Sequence, residues 1–152
     1  MVNLGKKFED IIKRDFSIMQ GAKITRLYDP VGGYGGIKNI CDFIAYVYPN
    51  AFYIEAKETK ENTFNLKKLT QYEDLLEYDN IRGLYPGALI WFSSHNRVVW
   101  CGIKTLKWLH SNKFKSVNIN DNYTYDFDLD IEVMRKYPKI NFNHFINKFP
   151  KD

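Results

Sequence analysis

The stretch AFYIEAKETK, residues 51–60, sets a carboxylate and an ammonium, Glu55 and Lys57, two positions apart in a run otherwise rich in aromatic and β-branched residues. In a strand these two project from one face, while Ile54, Ala56 and Glu58 turn to the other. The upstream segment CDFIAYV carries a further acid, Asp42. Two carboxylates and a backbone carbonyl suffice for Mg²⁺, which takes oxygen ligands and keeps several waters. A bound Mg²⁺ supplies an ionised water and neutralises charge developing on phosphate, the two needs of phosphodiester hydrolysis at neutral pH. Asp42 and Glu55 are the candidate carboxylates and the carbonyl of Ala56 is the natural third ligand. Lys57 is placed to orient or help deprotonate the attacking water. Glu-x-Lys alone is far more often a plain ion pair, so the face on which Asp42 lies decides what the pair is worth.

That face depends on a hairpin. CDFIAYV and AFYIEAKE flank YPN, and Pro49-Asn50 suits the centre of a tight turn. With those two residues as the loop, Asp42 lies opposite Lys57 and diagonal to Glu55, and diagonal neighbours on one face stand about 7–8 Å apart. A three-residue loop would send Asp42 to the other face. Ahead of the hairpin, Phe8, Ile11, Ile12, Phe16 and Met19 recur at helical spacing and predict a helix of roughly four turns. Glu9 falls about 20° from Phe16 around it, at the border of the apolar stripe, where pairing with Lys13 is the ordinary role.

The segment AKITRLY alternates like a strand. DPVGGYGGIKN reads as a loop, and without a following Gly-Lys-Ser/Thr it is no P-loop. LKKLTQYEDLLEYDN predicts a helix capped by Asn65, with Leu69, Tyr72 and Leu76 turned inward. GALIWFSS and RVVWCGI are two more strands joined through HN, and TLKWLHSNKF is a short helix opened by Thr105. The order predicts one domain over residues 1–152, an α/β fold with a mixed five-stranded sheet flanked by helices.

Composition narrows the class further. The 152 residues are 45% hydrophobic with a net charge of +4, an ordinary globular balance. Residues 1–68 hold 11 Lys or Arg against 8 Asp or Glu, compatible with a polyanionic partner as well as with a solvated surface. Cys41 and Cys101 lie in apolar runs without metal-ligand spacing and read as buried thiols. His95, His110 and His144 are scattered, Ser93 and Ser94 lack a nucleophile-elbow context, and the tryptophans Trp91, Trp100 and Trp108 read as core. No run approaches membrane-spanning length, so a soluble, cytoplasmic protein without a membrane partner is expected.

An acid on one strand, a tight turn and Glu-x-Lys on the next is the pattern of the PD-(D/E)xK nuclease superfamily, written here as Asp42, Glu55 and Lys57 with Cys41 in the proline position. YIEAKETKENTFNLKKL, the thirteen-residue step from Asp42 to Glu55 and the GKKFED helix further resemble the RecU-type Holliday-junction resolvases of Gram-positive bacteria and their phages. The resemblance spans residues 5–105 and is dense over 42–70. It implies a restriction-endonuclease-like core and a homodimer that resolves four-way DNA junctions by paired nicking with Mg²⁺, Mn²⁺ being a possible substitute. It implies the cytoplasm, that of a host cell if the gene is a phage's. It raises Glu9 to an outer contributor to the metal site. Gln71 matches a glutamine in the helix after the catalytic strand, a solvated helix residue being the alternative. Lys60, Lys67, Lys68 and Arg26 are the expected phosphate contacts. In place of the long stalk of that family stands only DPVGGYGGIKN, which keeps open another nuclease of the superfamily, restriction-like or repair, or a non-catalytic DNA-binding module on the same fold.

Overall fold

A computed structural model describes residues 2–28 and 39–151; most of the glycine-rich stretch, residues 29–38, lies outside them. Helix α1, Leu4–Ser17, starts where the Asn3 side chain accepts the Lys6 N–H at 3.0 Å. It buries Phe8, Ile11, Ile12 and Phe16 as their spacing predicts. Strand β1, Ala22–Arg26, pairs antiparallel with β2, Phe43–Val47, which pairs antiparallel with β3, Asn50–Thr59. A short strand β4, Thr63–Asn65, and helix α2, Tyr72–Leu76, lead into β5, Leu84–Phe92, which lies parallel to β3. Strand β6, Arg97–Gly102, then turns back antiparallel and helix α3, Ile103–Ser111, follows it.

The sheet has six strands, one more than expected. The sixth is β8, Phe127–Asp128, which pairs with β6 and completes the order β1-β2-β3-β5-β6-β8. Strand β7, Ser116–Asn118, pairs with β4 in a separate ribbon, and β9, Asp130–Met134, forms a hairpin with β10, Tyr137–Asn141. Helix α4, Phe142–Ile146, closes the fold. The tail thus fills one face of the sheet: Phe142 and Phe145 pack with Phe16, Phe52 and Trp100 beneath α1. Asp15, 2% exposed, pins the tail to α1 by accepting the Ile140 N–H at 2.8 Å. The opposite face carries a second core of Leu75, Ile90, Val99, Leu106 and Leu109.

The expected helix over residues 66–80 is broken. Asn65 does cap, accepting the Lys67 N–H at 2.9 Å, but the turn it opens, Leu66–Lys68, is a 3₁₀ turn. Leu66 and Leu69 are both buried, and a 3₁₀ turn stacks residues three apart where an α-helix would splay them. Trp91 and Trp100 are core residues as expected, whereas Trp108 is 45% exposed.

Candidate active site

The β2–β3 hairpin sets the site, in a register two residues away from the expected one. Val47 pairs with Asn50, so Tyr48 and Pro49 form the connection. Asn50 is drawn into the strand because its side chain is buried and donates to the Pro150 carbonyl at 2.7 Å. A shift of two preserves the face. The ladder ends at Phe43 opposite Ile54, and just beyond it the Asp42 carboxylate comes close enough to Glu55 for its charge to act on it.

Just before β2 the backbone leaves the ladder. The Asp42 N–H donates to the Ile54 carbonyl at 3.1 Å, and Asp42 Oδ2 accepts the Ala56 N–H at 2.8 Å. The Asp42 carboxylate therefore occupies the place a strand partner would take. In extended backbone a residue's N–H and C=O point to one side, so the Ala56 carbonyl projects along the same flank. Glu55 is 2% exposed, and Lys57 Nζ stands 3.2 Å from its Oε2. Glu55 Oε1 is buried without a hydrogen-bond partner. Burial, and after it the negative charge of Asp42, push the Glu55 carboxyl up to about 8, against the pull of Lys57. The neighbouring Cys41 thiol is pushed up to about 12, by burial first and then by the two acids, and stays protonated.

Two close carboxylates, one with an orphaned buried oxygen, beside a backbone carbonyl, make an all-oxygen donor set that suits Mg²⁺. A cation between them would give Glu55 Oε1 a partner and remove the repulsion that raises its pKa. Among the described residues no group of three or more His, Cys, Asp and Glu side chains gathers around one point, so protein carbonyl and solvent oxygens would complete the shell.

Glu9 comes to this corner from the other layer. Its Oε1 lies 2.7 Å from Arg26 Nη2, which also stands 3.4 Å from Asp42 Oδ1. Arg26 Nη1 donates to the Asp42 carbonyl at 3.2 Å and also contacts the Leu27 carbonyl. The Arg26 guanidinium, expected on DNA phosphate, thus spans Glu9 and Asp42 with its side chain 17% exposed. Burial and then the charge of Asp42 raise the Glu9 pKa, with Arg26 opposing. The bracing role of Arg26 was legible only through the β1–β2 register, which sets it opposite Phe43 and beside Asp42. Gln71 immediately precedes α2, and its Oε1 accepts from the Thr70 hydroxyl at 3.1 Å. Lys60, Lys67 and Lys68 are exposed, the first just past the end of β3 and the other two on the 3₁₀ turn.

No family model and no curated protein matches the sequence. Among solved structures, the chain is similar to Hjc of the archaeal hyperthermophile Archaeoglobus fulgidus, a Holliday junction resolvase. The match has a TM-score of 0.50 at 19% identity, over 66% of this chain and 78% of that one. The fold is restriction-endonuclease-like. Asp42, Glu55 and Lys57 lie together at the corner that β2 and β3 form with α1. No described helix is long and apolar enough to cross a membrane.

Proposed function

We propose that the chain is a Mg²⁺-dependent DNA endonuclease that resolves four-way junctions, acting as a homodimer in the cytoplasm. The observation that carries this reading is the closeness of the Asp42 and Glu55 carboxylates, with Glu55 Oε1 buried and unpartnered. Mg²⁺, when bound, supplies the ionised water and the neutralising charge; Mn²⁺ has compatible ligand preferences. The chain's own residues fix the geometry around it. The Ala56 N–H holds Asp42 in one rotamer, so the ligand pair is preorganised. Lys57, two residues from Glu55 on the same face, would orient the attacking water by donating to it from Nζ. Lys60, Lys67 and Lys68 steer the sugar-phosphate backbone toward the site through counterion release. Resolution needs paired nicks on strands related by the junction's two-fold symmetry, and a C₂ dimer presents two sites in that relation.

Incubation with labelled four-way junction, linear duplex and single strand, in Mg²⁺ or EDTA, tests the proposal. Symmetric paired nicks in the junction, abolished by EDTA, are expected. Equal cutting of linear duplex would favour a restriction-like or repair nuclease, the reading that the short segment between β1 and β2 supports. Metal-independent binding without cutting would favour a DNA-binding module.

A further inference from the structure

A run of 41 residues, Asn80 to Asn120, contains no Asp or Glu and six cations: Arg82, Arg97, Lys104, Lys107, Lys113 and Lys115. The end of α3 lies within it, and Trp108 and Phe114 there form an aromatic cluster open to solvent with Tyr123, which lies just beyond the run, two residues after Asp121. Trp108 is 45% exposed, Phe114 36% and Tyr123 53%. Trp108 stacks on Phe114 with ring centroids 5.3 Å apart at 25°, and Tyr123 meets both edge-on, 6.4 Å from Trp108 and 5.8 Å from Phe114. Large rings left in water cost stability unless a partner covers them, and three in mutual contact form a patch rather than scattered exceptions.

The charge around the patch says what that partner is. Lys113 and Lys115 flank Phe114 in sequence and are exposed. The Lys115 carbonyl accepts the Leu66 N–H at 2.9 Å, which seats Lys67 and Lys68 beside the same edge. Lys104 and Lys107 lie on α3 one turn and one residue before Trp108 and share Asp79, at 2.9 and 3.5 Å. Aromatic faces set among lysines match a nucleic-acid strand whose bases are unstacked, since each base has a face to stack and each phosphate a charge to neutralise.

We propose that Trp108, with Phe114 and Tyr123, is a stacking platform for an unpaired base of the DNA substrate, flanked by Lys113, Lys115, Lys67 and Lys68 on its phosphates. This rests on the reading of the chain as a DNA nuclease and adds a requirement for single-stranded character next to the cut. The platform lies on the α3 side of the sheet, the side from which Glu55 and Lys57 project.

Trp91 and Trp100 are each 1% exposed, so Trp108 alone is open to a stacking base, and intrinsic fluorescence reports on it. The full chain in EDTA is titrated with oligo-dT, with blunt duplex and with a junction bearing unpaired thymines at its centre. Quenching by oligo-dT and by the unpaired junction, but not by blunt duplex, is expected. Trp108→Ala should abolish the quench and weaken oligo-dT binding about tenfold or more, and Trp108→Phe should restore most of the affinity without the quench. Unchanged oligo-dT affinity in Trp108→Ala, with Lys113→Ala and Lys115→Ala weakened, would overturn the platform and leave the nuclease reading standing. A dimer that Trp108→Ala dissociates, with Trp108 already shielded before DNA is added, would overturn it in favour of a contact between copies. Quenching that persists where no Mg²⁺-dependent cutting is found would support the platform while sinking the nuclease.

Discussion

Two acid–base pairs in this molecule, Arg97–Asp128 and Lys57–Glu55, differ in construction. Arg97 grips Asp128 with two parallel bonds, Nε to Oδ2 at 2.7 Å and Nη2 to Oδ1 at 2.9 Å. Two further N–H groups donate to the Tyr125 hydroxyl at 2.7 Å and the Ile119 carbonyl at 3.1 Å. Each charge is stabilised by the other, and the Arg97 pKa is raised by its bond to Asp128. That pair clamps β8 to β6. Glu55 and Lys57 meet through a single 3.2 Å contact, one Glu55 oxygen has no partner, and burial holds the carboxyl toward its neutral form. A structural pair is satisfied; the Glu55 arrangement is under electrostatic stress that a cation would relieve. Such stress is characteristic of groups kept for chemistry rather than for stability.

The sharpest way to break this comparison is to neutralise each acid in place. Asp42→Asn and Glu55→Gln should each lower Mg²⁺-dependent cleavage by about three orders of magnitude or more, since each removes a carboxylate on which the proposed Mg²⁺ site rests, with little change of shape. Junction binding by gel shift should stay largely intact. Near-wild-type cleavage by either variant would end the assignment of that residue. Arg97→Ala should leave the ligand pair in place and instead lower stability by about 1–2 kcal/mol, a figure kept small because both partners are partly exposed. That corresponds to a fall of roughly 2–8 °C in melting temperature for a domain of this size.

Glu55→Gln should move stability the other way. The Glu55 carboxyl titrates near 8 in the fold, above an ordinary value of 4.5. Between those pH values the native state holds a proton that the unfolded chain has released, so stability falls as pH rises through that window. Without metal, Glu55→Gln should therefore melt higher than wild type at pH 8, and the two should converge toward pH 4.5. Adding Mg²⁺ at pH 8 should raise the wild-type melting temperature by mass action and leave the variant nearly unmoved. A variant that melts below wild type at pH 8 in EDTA would show that the pair is structural after all.

How much of this was legible depended on range. Period-two alternation was enough to place Glu55 and Lys57 on one face, and helical spacing was enough for the buried stripe of α1, because both are local patterns. The register of the hairpin was missed by two, since the burial of Asn50 and its bond to Pro150 join residues a hundred positions apart. The tail was unreadable for the same reason. Strands as short as β7 and β8 have too few residues for a period, and their edges are defined by β4 and β6. Trp108 was misread because exposure of a large ring leaves no mark in its own neighbours, whereas the acid-free run around it was there to be counted.

The smallest expected effect lies at the edge of the site. Glu9 touches neither Glu55 nor Lys57 through any direct bond; it holds Arg26, and Arg26 holds Asp42. If Glu9 is replaced by Gln, the guanidinium loses its shorter ion pair and its charge falls more fully on Asp42, in competition with an incoming cation. The Mg²⁺ concentration giving half-maximal cleavage should then rise by a few fold, with the rate at saturating Mg²⁺ changed less than about tenfold. Were Glu9 itself a metal ligand, the loss would resemble that of Asp42→Asn and excess metal would not restore the rate. Measuring cleavage across a Mg²⁺ series for Glu9→Gln beside Asp42→Asn separates the two roles, because only a residue acting through Arg26 yields to mass action.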